Sequence, residues 1–271
     1  MKTPPTISAE LKSVMKRLRL GTLLPTLAER LAVAEQQQLS LEETLLVLLS
    51  DEVSRRDSTA SSRRAKTAGL PPDMTIERWD ASAKIRYDKR VLSELMSLRF
   101  IENKKNAVIL GPVGVGKTFI ACAIGHAAAR HAYNVNFTRA DAMLRRLKQS
   151  RFDNSRDALM AQLVCVDLLI IDDFALEPMS RDESRDIYQL VVERTGRAAT
   201  IITSNRDTAE WIAAFDEPLL AQSAVDRFIH NAHDLVVEGQ SYRARLKPML
   251  NDDDPPPATP TMKKQTIGRA R

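Results

Sequence analysis

Cysteine, aromatic residues and long apolar runs are all scarce in this 271-residue sequence. We expect the two cysteines, Cys122 and Cys165, to be small core residues of a reduced protein, because both lie in or beside apolar segments. The longest apolar runs, at residues 45–49 and 168–171, are far too short to cross a bilayer. The first residues lack the apolar stretch of a secretory signal. These absences predict a cytoplasmic protein without a membrane partner.

Positive charge exceeds negative charge by a small margin. The chain has 40 Lys and Arg against 35 Asp and Glu, which gives a formal net charge of +5. Such a balance is compatible with a nucleic-acid partner without requiring one. The positions of the basic residues are therefore more informative than their number.

The first part of the chain has helical periodicity and no strand pattern. Apolar residues recur at helical spacing in residues 7–18 and again in residues 23–37. Ser40 and Glu43 have the spacing of a capping box and predict a helix that starts at residue 41 and reaches residue 56. The polar sequence TASSRR that follows predicts a loop or hinge, and AGLPP at residues 68–72 breaks the helical pattern.

Short apolar segments alternate with amphipathic stretches in the rest of the chain. This alternation predicts an α/β fold, a parallel five-stranded sheet between helices. The predicted strands are residues 107–110, 135–138, 168–172, 200–203 and 235–238. We thus predict an N-terminal all-α domain at residues 1–66, a sheet-containing core at 67–250 and a disordered tail at 251–271, which is rich in proline and charge.

A phosphate-binding loop follows the first strand of the predicted core. The pattern G-x-x-x-x-G-K-[ST] is met by Gly111, Pro112, Val113, Gly114, Val115, Gly116, Lys117 and Thr118. Its backbone N–H groups and the following helix N-terminus attract phosphate, Lys117 reaches the β- and γ-phosphates, and Thr118 supplies a hydroxyl to Mg²⁺. The motif predicts ATP and Mg²⁺ as cofactors.

Two further strands end in polar residues. The buried strand LLII runs into Asp172 and Asp173, and the strand TIIT runs into Asn205. Burying carboxylates is unfavourable without a nearby cation, so we predict that Asp172 lies in the Mg²⁺ shell and that Asp173 polarises the attacking water. Asn205 is predicted to bind the γ-phosphate or that water.

These elements, in this order, resemble those of an AAA+ ATPase of the DnaA/DnaC-like branch, and most closely the IstB family of insertion-sequence helper ATPases. The resemblance rests on GPVGVGKTFIACAIGHAA, DLLIIDDFAL, TIITSNR, SAVDRF and EGQSYR, with AGLPPDMTIERWD as the linker into the core. Asp173 departs from the Glu usual in AAA+ proteins, and Ala175 replaces a frequent glycine. The shorter carboxylate implies slow or assembly-dependent hydrolysis.

The resemblance implies additional residues and partners. Arg227 matches the family's arginine finger, which completes the ATP site of a neighbouring subunit, and Arg243 matches a second phosphate-sensing arginine. It also implies a homo-oligomer with interfacial ATP sites, double-stranded DNA and the transposase of the same element as partners, and a bacterial protein that associates with the nucleoid when bound to DNA.

Basic residues cluster where such a protein contacts DNA. A segment after the second core strand has six basic residues against two acidic ones: Arg139, Arg145, Arg146, Lys148, Arg151 and Arg156. A second cluster near the predicted hinge contains Arg55 and Arg56. Phe152 is the only ring near the first cluster, which favours contacts with the backbone of duplex DNA over base stacking on single strands.

Three alternatives remain open from the sequence. The same ATPase module occurs in DnaC-type helicase loaders, which differ in the partner of the N-terminal domain. A P-loop kinase is disfavoured, because Arg227 is best explained by a subunit interface. A switch that uses ATP chiefly for assembly is a variant of the first interpretation, given Asp173.

Overall fold

Three helices come first in the computed structural model, which describes residues 6–80 and 85–242. They are α1 (Ala9–Arg17), α2 (Leu24–Gln36) and α3 (Leu41–Thr67). The capping box at the start of α3 is present, with the Ser40 hydroxyl accepting from the Glu43 N–H and the Glu43 carboxylate accepting from the Ser40 N–H. The helices share a small core formed by Met15, Leu23, Leu27 and Leu48.

Helix α3 is longer than predicted. The prediction of a loop at residues 59–64 is wrong, because α3 continues through them to Thr67. No glycine or proline interrupts this stretch, and its hydroxyl groups bond back to the helix, as when the Thr59 side chain donates to the Arg55 carbonyl at 2.8 Å. The helix ends before Gly69, which has the left-handed φ of 77°.

The described residues contain seven strands in two sheets. They are β1 (Ile85–Arg86), β2 (Asn106–Leu110), β3 (Val135–Arg139), β4 (Leu168–Asp172), β5 (Ala199–Ser204), β6 (Ala232–Val236) and β7 (Glu238–Gly239). Strands β2 to β6 form a parallel sheet of order β3-β4-β5-β2-β6, which confirms the predicted five-stranded sheet. Strands β1 and β7 pair with each other in an antiparallel ribbon that sequence patterning did not predict.

The later helices cover both faces of the parallel sheet. They are α4 (Lys89–Met96), α5 (Arg99–Glu102), α6 (Lys117–Arg130), α7 (Ala140–Ser150), α8 (Arg156–Cys165), α9 (Arg181–Arg194), α10 (Thr208–Trp211) and α11 (Pro218–Ile229). Leu168 and Ile170 of β4 pack with α6 on one face, whereas Leu169 and Ile171 pack with α7, α8, α9 and α11 on the other. Burial on both faces explains the continuous apolar runs of these strands.

Two sequence predictions need correction at the margins of this core. Strand β6 spans Ala232–Val236 rather than residues 235–238. It is an edge strand, and the polar residues His233 and Asp234 near its start hide the apolar pattern by which a strand is predicted. Cys165 is exposed at the end of α8, whereas Cys122 is buried as predicted.

The predicted domain boundary falls at the end of α3. The last turns of this helix pack against α6, and Arg64 donates to the Ala129 carbonyl at 2.7 Å. The division at residue 66 stays a prediction, and the tail at residues 251–271 lies outside the described residues. Within the described ranges, no helix has both the length and the apolar character of a membrane span.

Candidate nucleotide-binding site

The P-loop connects β2 to α6 at the carboxyl edge of the parallel sheet. Its backbone requires glycine at Gly111 and Gly114, which have φ values of 148° and 86°. A Cβ at Gly111 would overlap the carbonyl of Val237, and one at Gly114 would overlap the side chain of Ser241. Both the positive φ values and the lack of space for a Cβ therefore require glycine at these two positions.

Lys117 opens helix α6 and is almost fully buried. Its ammonium group donates to the Pro112 carbonyl at 2.9 Å, so it lies over the loop in which the phosphates are predicted to bind. The N-terminus of a 14-residue helix adds the partial positive charge that attracts anions.

Asp172 lies at the end of β4 and is only 3% exposed. The Thr118 hydroxyl donates to its Oδ2 at 3.1 Å, and the Thr203 hydroxyl donates to its Oδ1 at 2.6 Å. Burial nevertheless raises the pKa of the Asp172 carboxyl above its usual range, since these neutral donors lower it less than desolvation raises it. A hydroxyl and a carboxylate side by side form the hard oxygen set that Mg²⁺ prefers, so the residues present fit this ion.

Thr203 is the site residue that sequence reasoning missed. It is fully buried near the end of β5 and links the two acidic residues, because it also accepts from the Asp173 N–H at 3.1 Å. A hydroxyl residue directly after the apolar pair Ile201 and Ile202, two positions before Asn205, was the available signal. Asp173 itself is partly exposed in a left-handed backbone conformation, and Asn205 is exposed just beyond β5.

Residues that precede β2 in the chain and residues that follow β6 both cover the P-loop. The ring of Trp79 packs on Phe119 and lies against Gly116, and strand β1 beyond it pairs with β7. The N–H of Tyr242 donates to the Gly114 carbonyl at 2.8 Å. Arg243, the next residue, lies outside the described residues, so its predicted role stays a prediction.

Arg227 occupies the last turn of α11, on the opposite sheet face from α6. Its side chain is exposed, and within the described ranges it forms no ion pair with Asp172 or Asp173. The side chain of Asn106, the first residue of β2, donates to the carbonyl of the neighbouring Phe228, so this end of α11 lies at the amino edge of the sheet and not at the P-loop. The predicted role of Arg227 at a neighbouring subunit stays a prediction.

The basic segment separates into two sets of side chains. Arg145, Arg146 and Lys148 project from α7 into solvent, although Arg145 also pairs with Asp141 at 2.9 Å. Arg139 at the start of α7 approaches Asp141 at 3.3 Å and Asp173 at 4.0 Å.

Arg151 and Arg156 point inward instead. Both donate to Asp186 of α9, at 2.8 Å and 2.6 Å, and Asp186 is 1% exposed. The DNA contact of Arg151 stays a prediction, and its geometry does not support it, because its guanidinium is engaged by a buried carboxylate.

The second predicted DNA cluster is engaged within the N-terminal helices. Arg55 and Arg56 both donate to the buried carboxylate of Glu52, which also accepts from Thr22. These donors hold the pKa of the Glu52 carboxyl well below its usual range. The DNA contact of Arg55 and Arg56 stays a prediction, and their geometry does not support it.

The fold and the site together define the class. A P-loop after the first strand of the parallel sheet, a buried acidic strand end beside it and helices on both faces make this an ATP-binding P-loop protein of the AAA+ class. A family model described as IstB-like ATP binding protein matches residues 13–249, and the chain belongs to this family.

Curated relatives carry matching descriptions. An ATP-binding protein in an insertion sequence of Mycobacterium tuberculosis is 35% identical over 240 residues, which is 88% of this chain and 95% of the relative. The ATP-binding protein of insertion sequence IS21 from Pseudomonas aeruginosa is 32% identical over 88% of this chain and 90% of its own.

Solved structures agree on the fold. The DnaI crystal structure has a TM-score of 0.53 at 20% identity and covers 62% of this chain and 94% of its own. The replication initiator DnaA bound to AMPPCP and single-stranded DNA has a TM-score of 0.50 at 21% identity, and the match spans half of that longer chain.

Proposed function

We propose that this protein is an ATP-hydrolysing, DNA-binding ATPase that oligomerises on DNA in the bacterial cytoplasm and assists the transposase of its insertion sequence. The observation that carries the proposal is the hydrogen bond between Thr118 of the P-loop and the buried Asp172 at the acidic strand end. It joins the phosphate-binding loop to the carboxylate beside which a metal–triphosphate complex would bind.

Each residue of the pocket has a defined task in hydrolysis. Lys117 and the P-loop amides would hold the β- and γ-phosphates, and Thr118 and Asp172 would hold Mg²⁺, which would supply positive charge to neutralise the phosphates. Asp173 orients the attacking water, and Asn205 binds the water or the γ-phosphate. Thr203 holds the Asp172 carboxylate through one hydrogen bond and the Asp173 backbone N–H through the other.

The neighbouring subunit completes the site with Arg227. A cation brought to the γ-phosphate from outside stabilises the charge of the transition state, so hydrolysis depends on assembly. ATP bound between subunits favours the assembled state, and hydrolysis weakens it. The exposed position of Arg227 on α11, without an ion pair among the described residues, supports this division of the site.

DNA and the transposase are the proposed partners. The solvent-facing residues Arg145, Arg146 and Lys148 form a surface for DNA phosphates. The names of the curated relatives refer to insertion sequences, which supports a transposition helper over a helicase loader, because the resemblance to DnaI is one of fold alone.

Particle mass measured on duplex DNA tests the proposal. We expect a large assembly with a non-hydrolysable ATP analogue and a smaller one without it.

Lys117→Ala should lose nucleotide binding and ATP-dependent assembly together. Arg227→Ala should keep nucleotide binding but lose hydrolysis, whereas Arg197→Ala is the matched control, since Arg197 is an exposed arginine outside α11, just before β5. Normal turnover by Arg227→Ala would show that the site is not shared between subunits.

A further inference from the structure

Phe152 is the most exposed large apolar side chain in the described part of the protein. It is 86% exposed and lies in the turn between α7 and α8. A single exposed apolar residue needs no explanation in general. Phe152 differs in two respects. The turn that carries it is anchored to the rest of the domain, and exposed basic residues of α7 lie next to it in the sequence.

The turn that presents Phe152 is anchored on both sides. Arg151 precedes it and Arg156 follows it, and both guanidinium groups bind the buried Asp186. Within the turn, the N–H and the hydroxyl of Ser155 both donate to Asp153, at 3.0 Å and 2.6 Å. The exposed ring therefore lies on a turn that is already ordered by these contacts, and less conformational entropy is lost when the ring is buried against a partner.

The ring continues the basic face of α7. Arg145, Lys148 and Phe152 follow one another at spacings of three and four residues, and the Phe152 N–H still bonds to the Gln149 carbonyl in helical fashion. All three side chains are exposed. A row of cations that ends in an apolar ring suits a polyanion with an apolar interior, which describes duplex DNA.

We propose that Phe152 is a wedge that inserts between neighbouring base pairs of duplex DNA held along α7, unstacks them and bends the duplex. The inference rests on the DNA binding proposed above. Apolar side chains that enter a base step kink DNA by tens of degrees while nearby cations hold the backbone. A protein surface is the competing partner for an exposed ring, and the three exposed cations on α7 favour DNA.

The test uses the full-length chain and duplexes that carry 2-aminopurine at successive positions, with dyes at both ends to report bending by energy transfer. The wild type should raise 2-aminopurine fluorescence at one or two steps per site and shorten the end-to-end distance. Phe152→Ala should lose both signals but keep the slope of log affinity against log salt, because that slope counts phosphate contacts. Phe152→Leu should retain part of both signals, since leucine also acts as a wedge.

Leu219→Ala is the matched control, because Leu219 is 82% exposed on α11, outside the basic segment. Unchanged fluorescence and bending in Phe152→Ala would overturn the wedge while leaving DNA binding intact. Absence of salt-dependent binding by the wild type would overturn the wedge and the proposed function together. Normal bending by Phe152→Ala combined with loss of transposase binding would identify the ring as a protein contact.

Discussion

Two buried aspartates, Asp172 and Asp186, are compensated in opposite ways. Asp186 is 1% exposed and accepts from two arginines, so its charge is neutralised within the chain. Asp172 is 3% exposed and accepts from two hydroxyls, and burial raises its pKa. A buried carboxylate whose partners are cations is neutralised within the protein and stabilises the fold. A buried carboxylate whose partners are neutral lacks this compensation and favours binding of an external cation.

The same distinction separates the basic residues. Arg151 and Arg156 neutralise Asp186 and hold the α7–α8 turn, whereas Arg145 and Arg146 remain on the surface. Neighbouring basic residues in the sequence therefore need not share a role. Whether the carboxylate that an arginine contacts is buried separates the structural arginines from the surface ones.

The largest effect is expected from breaking the compensated pair. Asp186→Asn removes the charge that two guanidinium groups face, and we expect it to lower the free energy of unfolding by about 3–5 kcal/mol. Urea denaturation measures this. Asp157→Asn is the control, because Asp157 also contacts Arg156 but is 94% exposed. Equal stability of the two variants would contradict the structural role of Asp186.

Removing the charge of the other aspartate should chiefly affect catalysis. Asp172→Asn is expected to reduce ATP turnover on DNA by about 100-fold or more, because the Mg²⁺ shell loses its carboxylate. The assay measures phosphate release against Mg²⁺ concentration. Asp167→Asn serves as the control, since Asp167 precedes the same strand at its other end and accepts from the Asn134 N–H. A similar loss in both variants would remove the special role of Asp172.

Charge reversal on α7 should weaken DNA binding without unfolding the protein. The double change Arg145→Glu and Arg146→Glu is expected to lower affinity for duplex DNA by about 10-fold or more at low salt and to flatten its salt dependence. Arg197→Glu is the control, because Arg197 is an exposed arginine outside α7, just before β5. Arg151→Ala should behave differently from the α7 double variant. It should lower the stability of the protein and leave the slope of log affinity against log salt nearly unchanged. An unchanged affinity in the α7 double variant would disprove the proposed surface.

Local motifs made much of this molecule predictable from sequence. The P-loop, the acidic end of β4 and the five parallel strands follow from short-range patterns, and the structure has them where expected, apart from the bounds of β6. Thr203 and Asp186 were not found, because their importance depends on partners about thirty residues away on neighbouring elements. The inward turn of Arg151 was missed for the same reason, and the continuation of α3 because polar residues without glycine or proline also form helix.

The smallest predicted effect is on the stability of the nucleotide-free protein. It separates the two aspartates most directly, because Asp172→Asn should raise this stability and Asp186→Asn should lower it. Burial raises the pKa of the Asp172 carboxyl, so the folded nucleotide-free protein binds this proton more tightly than the unfolded chain does. Ionisation therefore makes the folded state less stable as pH rises from the usual aspartate pKa through the raised one, and that loss persists at pH 7. Asp172→Asn cannot ionise and should raise the urea midpoint of the nucleotide-free protein at pH 7, where Asp186→Asn lowers it. At a pH below the usual aspartate pKa, the gain from Asp172→Asn should disappear, and a gain that is independent of pH would mean that packing, not charge, is responsible.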